Sequence, residues 1–147
     1  MGLKHRIDHD NRAMYATADG PITLSDIRDH LFKERHERGL TYAELIDART
    51  ARSAFSSEDV QEIVSLLKAF AKGHTLGPTA VVVSMDIAFG SMRMIESLLE
   101  GICAVRPFFD VDTALEWLHE TRLTSAWSGR SAAVAAAHAK VDTSEIQ

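Results

Sequence analysis

The sequence predicts an α/β protein in which helices pack on one mixed, mostly parallel sheet of about five strands. Three observations favour this class. Short apolar runs of strand length alternate along the chain with longer segments whose apolar residues recur at helical spacing. Residues 79–84 form a nearly continuous β-branched run, which is typical of a strand covered on both faces. Finally, Ser/Thr-x-x-Asp patterns at Thr23 and Ser56 mark helix starts between strands.

The beginning of the chain predicts a hairpin and then a helix. Strands are expected at Leu3–Asp8 and Arg12–Ala18, because a turn signal separates the two runs and the residues Asp-Gly-Pro follow the second. Thr23 is the expected N-cap of the first helix, and Gly39 is placed to end it. The charged run at residues 33–38 is interpreted as the solvated face of this helix.

Strands and single helices alternate from there on. Further strands are predicted at Tyr42–Ala48, Thr79–Ser84 and Ile102–Phe109, and further helices from Ser56 or Ser57 to Gly73, from Asp86 to Gly101 and from Asp110 to Leu118. The resulting order is ββαβαβαβα. Strands joined by single helices call for right-handed crossovers and parallel pairing, which leaves only the first hairpin antiparallel. Residues 1–120 are therefore expected to form one domain, followed by an alanine-rich extension at 121–147 with Trp127 as its anchor.

Composition limits the classes of function. The 147 residues carry a formal net charge of −5, which gives no electrostatic reason to expect binding to nucleic acid. A single cysteine, Cys103, excludes an intrachain disulfide and gives no sign of an oxidising compartment. No signal-peptide pattern begins the chain, and no apolar run approaches the roughly 20 residues needed to cross a bilayer. A cytoplasmic protein without a transmembrane segment is the expectation.

Four stretches between Tyr15 and Leu118 carry a family resemblance. They are Ala18-Asp19-Gly20, the run from Ala43 to Arg49, the strand Ala80–Val83 with Phe89–Met94 after it, and the segment from Phe109 through Ala114–Leu118. With the order of elements, these stretches resemble the STAS fold, the SpoIIAA-like group of anti-sigma-factor antagonists. The similarity is closer to the small bacterial proteins labelled STAS/SEC14-like. It covers about two-thirds of the chain and implies a SpoIIAA-like α/β fold.

The resemblance also implies a candidate regulatory serine. Anti-sigma-factor antagonists carry a phosphorylatable serine in an Asp-Ser-Ser-Gly pattern at the start of the helix after the third strand. Phe55-Ser56-Ser57-Glu58 is the nearest match and places Ser57 at that position. Here an aromatic residue replaces the acid, and two carboxylates follow, which would repel a phosphate. A plain helix-capping role for this serine pair is therefore the preferred interpretation.

A second group of candidates is predicted at one edge of the sheet. In open α/β sheets, ligands bind beyond the carboxyl ends of the parallel strands. Asp47 and Arg49 would lie there at the end of one strand, and Asp86, Phe89, Gly90 and Arg93 after the next. Gly90 would allow close approach of a ligand, and Arg93 could meet an anion. The competing interpretation assigns Asp86 to helix capping, Gly90 to tight packing and Arg93 to a surface ion pair.

No catalytic constellation, cofactor motif or metal motif is predicted. His5, Asp8, His9 and Asp10 lie close in sequence, but their spacing matches no known metal site. The leading hypothesis is a non-enzymatic regulatory or protein-interaction module, as the STAS resemblance implies, with a homodimer as a further expectation. The alternative, implied by the SEC14-like resemblance, is a binder of a lipid or other apolar small molecule in a pocket lined by Phe89, Met92 and Phe108. A cavity beneath the helix that begins at Asp86 would separate the two.

Overall fold

A computed structural model describes residues 2–54 and 56–122, which contain one five-stranded sheet and four helices. The strands are β1 (Gly2–Asp8), β2 (Ala13–Ile22), β3 (Ala43–Ser53), β4 (Thr79–Val82) and β5 (Val105–Phe108). The helices are α1 (Leu24–His36), α2 (Ser57–Ala71), α3 (Asp86–Leu98) and α4 (residues 111–122). The strands lie side by side in chain order, β1 to β5. β1 pairs antiparallel with β2 and the three later pairs are parallel, so the predicted mixed sheet and element order are confirmed.

The two faces of the sheet pack against different helices. Neighbouring residues of a strand point to opposite faces, and Glu44 and Leu45 of β3 show this alternation. Glu44 faces α1, where it hydrogen-bonds His30, whereas Leu45 belongs to the core beneath α4. That core is closed by the buried residues Ala43, Leu45, Ala80, Val82, Ala114 and Leu118. A second cluster, built on Leu31, Leu40 and Phe70, joins α1 to α2.

β2 and β3 are longer than predicted. The sequence places their ends at Ala18 and Ala48, but they continue to Ile22 and Ser53. Residues 19–22 and 50–53 pair with each other beyond the reach of β4, after a register shift between Thr17 and Asp19. Gly20 adopts a positive φ of 70° within this stretch, a backbone conformation that glycine tolerates without strain. Mutual pairing thus continues both strands through a segment whose composition indicates a turn.

The predicted helix starts are confirmed in α1, α2 and α4. Thr23 and Ser56 are N-caps, and each forms a complete capping box with the aspartate three residues later. Asp110 accepts hydrogen bonds from both the backbone amide and the hydroxyl of Thr113 at the start of α4. These bonds satisfy amides that would otherwise lack a partner in the first turn.

Replacing Ser56 tests the assignment of the α2 cap. Ser56→Ala removes the hydroxyl that accepts from the Asp59 amide at 3.2 Å, so the free energy of unfolding should fall by about 1 kcal/mol. Ser57→Ala is the matched control because Ser57 is exposed and is the first residue of the helix rather than its cap, and it should change stability by less than about 0.5 kcal/mol. Urea unfolding of both variants measures the difference. Equal losses would contradict Ser56 as the capping residue.

The described part of the chain ends within the predicted extension. α4 runs through Arg122, whose guanidinium donates to the carbonyl of Asn11 in the β1–β2 turn at 2.6 Å. The rest of the predicted extension, including Trp127, lies outside the described residues. None of the described helices is long and apolar enough to cross a membrane.

Candidate functional site

Asp47 and Arg49 form an ion pair within β3, which continues to Ser53 instead of ending at Ala48. Residues two apart share one face of a strand, and the two nitrogens of the Arg49 side chain donate to the two carboxylate oxygens of Asp47 at 2.9 and 2.7 Å. Hydrogen bonds from Arg49 keep the pKa of Asp47 below its usual value. The Ser84 hydroxyl donates to the Arg49 carbonyl at 2.9 Å and joins β3 to the start of the α3 segment. Because the pair neutralises itself, it offers little free charge to a ligand.

The residues predicted around the start of α3 have different roles from those expected. Asp86 does not cap the helix: Met85 is the N-cap, without a side-chain hydrogen bond, and Asp86 is the first helical residue. A side chain built at Gly90 would meet no heavy atom within 4 Å among the described residues, so this glycine is not required for tight packing. Arg93 lies 3.7 Å from Glu96, in agreement with the surface ion pair. Ser57 remains exposed at the N-terminus of α2, and its neighbour Phe55 lies outside the described residues.

Phe89 is part of a stacked aromatic pair. Its ring lies parallel to that of Phe109, with centroids 4.5 Å apart. Open crevices in the described part of the chain include one of about 350 Å³ between α1 and α2 and one of about 610 Å³ between the end of α3, β5 and Trp117. Neither is lined by Phe89, Met92 or Phe108, the residues predicted to surround an apolar ligand. In the second crevice, Arg106 bridges Glu96, at 3.2 Å, and the face of the Trp117 ring.

α3 exposes an apolar stripe on the side away from the sheet. Ile87, Met94 and Leu98 are spaced seven and four residues apart, so they share one helical face. Their relative exposures are 76%, 58% and 39%. No residue of α3 is fully buried. Met85 and Phe109 are exposed as well, but Phe109 stacks on Phe89, which lies on another side of the helix. We call the three residues Ile87, Met94 and Leu98 the α3 apolar surface.

A buried ionisable cluster, which was not predicted, lies between α1 and β3. The His30 Nε2 atom is 2.5 Å from Glu34 Oε1 and 2.7 Å from Glu44 Oε2. The exposures of the three side chains are between 4% and 8%. His30 and Glu34 lie four residues apart on one face of α1, and Glu44 faces them from the sheet. The ring of His5 on β1 packs edge-on against His30, with centroids 5.0 Å apart, and its own Nε2 contacts Glu37 at 2.6 Å.

Burial and mutual contacts shift the pKa values of this cluster. For His30, burial opposes the charged form, but the close contacts with Glu34 and Glu44 outweigh it and raise the pKa to about 10. For Glu34, burial and then the charge of Glu44 raise the pKa to about 8. Both shifts favour the protonated forms of His30 and Glu34. This arrangement avoids two buried negative charges at adjacent carboxylates.

The signal for the cluster is present in the sequence but is ambiguous there. Glu34 belongs to the charged run at residues 33–38, which was interpreted as a solvated helix face, and the structure shows that this interpretation is wrong for Glu34. A histidine and a glutamate four residues apart are common on exposed helices. Only the pairing of β3 with its neighbours places Glu44 beside them, and this long-range contact cannot be read from helical spacing.

Comparison with solved structures gives the fold. The chain is similar to a protein from Shewanella loihica PV-4, described as an uncharacterized protein of the DUF3478 family with a SpoIIAA-like fold. The TM-score is 0.56 at 18% sequence identity, over 80% of this chain and 93% of the other. No family model and no curated protein matches the sequence. The chain therefore has a SpoIIAA-like fold, as the sequence resemblance implied.

Proposed function

We propose that this protein is a non-enzymatic regulatory module that binds a protein partner through the α3 apolar surface. The observation that carries the proposal is the exposed stripe of Ile87, Met94 and Leu98 on α3, a helix that also contacts β5. Contiguous exposed apolar residues on a folded chain typically mark a contact site.

The shape of this surface favours a protein over a small apolar molecule. Ligand pockets are concave and cover most of the ligand, whereas the stripe lies on the outer side of a helix and is open to solvent. The stacked rings of Phe89 and Phe109 already contact each other. A protein partner can cover a convex helix face with a groove of its own that contacts side chains at positions i, i+7 and i+11, which here are Ile87, Met94 and Leu98. The exposed Met94 suits this role because its flexible side chain adapts to a partner.

Site-specific photocrosslinking tests the proposal. A photoreactive amino acid at position 87, in the full chain expressed in its own host, should give a discrete protein adduct. The same amino acid at position 58, on the exposed first turn of α2, is the matched control and should give little or none. The crosslinked protein is then purified and its affinity for the chain is measured with and without Met94→Asp.

The expected result is at least a 10-fold loss of affinity in Met94→Asp with an unchanged melting temperature, because Met94 is exposed and an aspartate there would be desolvated only in the complex. An adduct of twice the chain mass would identify a second copy of this protein as the partner and would also support the proposal. Equal crosslinking from positions 58 and 87, or an unchanged affinity in Met94→Asp, would overturn it. Recovery of a bound lipid with no protein adduct would also overturn it.

A further inference from the structure

In the buried cluster, three atoms that could bind a metal ion lie close together, two from α1 and one from β3. The donor atoms of His30, Glu34 and Glu44 all lie within 4.8 Å of one another, and their side chains are buried. One imidazole nitrogen and two carboxylates form a donor set that suits zinc and neighbouring divalent transition ions. The sequence predicted no metal site, because Glu44 becomes a neighbour of His30 only when β3 enters the sheet.

Hydrogen bonding alone does not satisfy this cluster. A single Nε2–H group faces two carboxylate oxygens, and only the contact with Glu44 has hydrogen-bond geometry. Glu34 Oε1 is buried and makes no hydrogen bond within the described part of the chain; its close contact is the ion pair with His30 Nε2 at 2.5 Å. Buried polar atoms are rarely left unpaired, so this orphaned oxygen is an independent indication that something other than the imidazole belongs between the three groups.

The charges are consistent with a divalent ion. Two ionised glutamates and a neutral histidine carry a charge of −2, which one divalent cation neutralises completely. Zn²⁺ bonds of 2.0–2.2 Å in a tetrahedral arrangement separate the donor atoms by about 3.3 Å. The present separations from Nε2 are 2.5 and 2.7 Å, so a side-chain shift of about 0.7 Å opens enough room. Three protein donors leave a fourth position for water or for a further ligand.

From these observations we propose that His30, Glu34 and Glu44 form a binding site for a divalent transition-metal ion, of which Zn²⁺ is the test case. The site lies between α1 and β3, whereas the α3 apolar surface is on another helix. Failure of one proposal would therefore not count against the other.

Calorimetric titration of the full, chelator-treated chain with zinc chloride at pH 7 is the direct test. We expect one ion per chain, release of protons that depends on the buffer used, and a rise in melting temperature. Glu34→Gln keeps a side chain of the same shape that can contact His30 but removes the carboxylate, and should weaken binding at least 100-fold. His36→Ala is the matched control, since it removes an exposed histidine of the same helix and should leave binding unchanged.

Two outcomes would overturn the proposal. One is the absence of Zn²⁺ binding to the unmutated chain, and the other is equal loss of binding in His36→Ala and Glu34→Gln, which would indicate surface histidines. Should Glu34→Gln fail to fold, the unmutated chain loaded with Co²⁺ provides a second measurement. X-ray absorption is then expected to show one nitrogen donor of histidine and oxygen donors otherwise, and a first shell with several histidine nitrogens would contradict the site.

Discussion

The free energy of unfolding should fall by about 3 kcal/mol as the pH is raised from 6.5 to 8 in the presence of a chelator. Most soluble domains change little over this interval. The expected loss comes from the buried cluster of His30, Glu34 and Glu44, whose protons are held more tightly in the folded chain than in the unfolded one.

The sign follows from the direction of both shifts. The pKa of Glu34 rises from 4.5 to about 8 on folding, so its contribution to stability is full below pH 4.5 and is lost as the pH rises through 8. The pKa of His30 rises from 6.5 to about 10, so its contribution is full below pH 6.5 and is lost as the pH rises through 10. Between pH 6.5 and 8 both groups act together. Each extra proton bound by the folded chain lowers stability by about 1.4 kcal/mol per pH unit.

Other shifted groups act outside this window. Hydrogen bonds lower the pKa values of four carboxylates below the ordinary 3.8 of aspartate and 4.5 of glutamate; these are Asp8, Glu37, Asp47 and Asp110. These carboxylates therefore stabilise the folded chain at higher pH and lose that effect only in acid. Burial raises the pKa of Cys103 from 9.0 to about 11, and this thiol acts above the window. Glu37 is linked to the buried cluster through His5, whose Nε2 contacts Glu37 and whose ring packs on His30.

Urea unfolding at half-unit intervals of pH measures the effect. Glu34→Gln removes one of the two titrating groups, so the slope between pH 6.5 and 8 should fall to about half. His36→Gln changes an exposed histidine on the same helix and should leave the slope as it is. A flat profile for the unmutated chain would show that the cluster does not take up protons on folding.

Gly77→Ala should lower the free energy of unfolding by about 3 kcal/mol, which for a chain of this length corresponds to a melting temperature roughly 10 °C lower. A Cβ atom at this position would lie 2.0 Å from the carbonyl oxygen of Tyr42 and 2.8 Å from the carbonyl carbon of Thr41. Both are backbone atoms, so no side-chain rotation relieves the clash. The Gly77 amide also donates to the Leu40 carbonyl at 2.8 Å, which fixes the two segments against each other.

Gly73→Ala is the matched control in the same connection between α2 and β4. A Cβ atom there would meet no heavy atom within 4 Å among the described residues. The substitution should be neutral or should stabilise the chain by up to about 1 kcal/mol, because alanine restricts the unfolded state. Thermal unfolding followed by circular dichroism compares the two variants. A loss in Gly73→Ala as large as that in Gly77→Ala would argue against close backbone packing as the cause.

The sequence was sufficient for the order and type of the elements because these depend on local signals. Alternation of apolar residues, the capping boxes at Thr23 and Ser56, and the buried run of β4 each act over a few residues. The ends of β2 and β3 were wrong for a different reason. Residues 19–22 and 50–53 are extended because each segment pairs with the other, and neither has the composition of a strand by itself.

The candidate sites depended even more on long-range contacts. Sequence position placed Asp47 and Arg49 together correctly, but not as a self-neutralising pair within a strand. The burial of Glu34 could not be predicted because its neighbours Lys33 and Arg35 are exposed. Helical spacing alone also does not show that Glu34 contacts His30, or that Glu44 of β3 contacts the same histidine.

The chain-order arrangement of the sheet has a consequence for how the protein acquires its structure. Every strand lies beside the strand that precedes it, so no pairing has to wait for a distant segment of the chain. Folding rates are highest when contacts join nearby parts of the sequence, since less chain entropy is lost before the contacts form. During synthesis the neighbouring strand has already left the ribosome when each new strand emerges. The sheet can therefore form progressively from β1 toward β5.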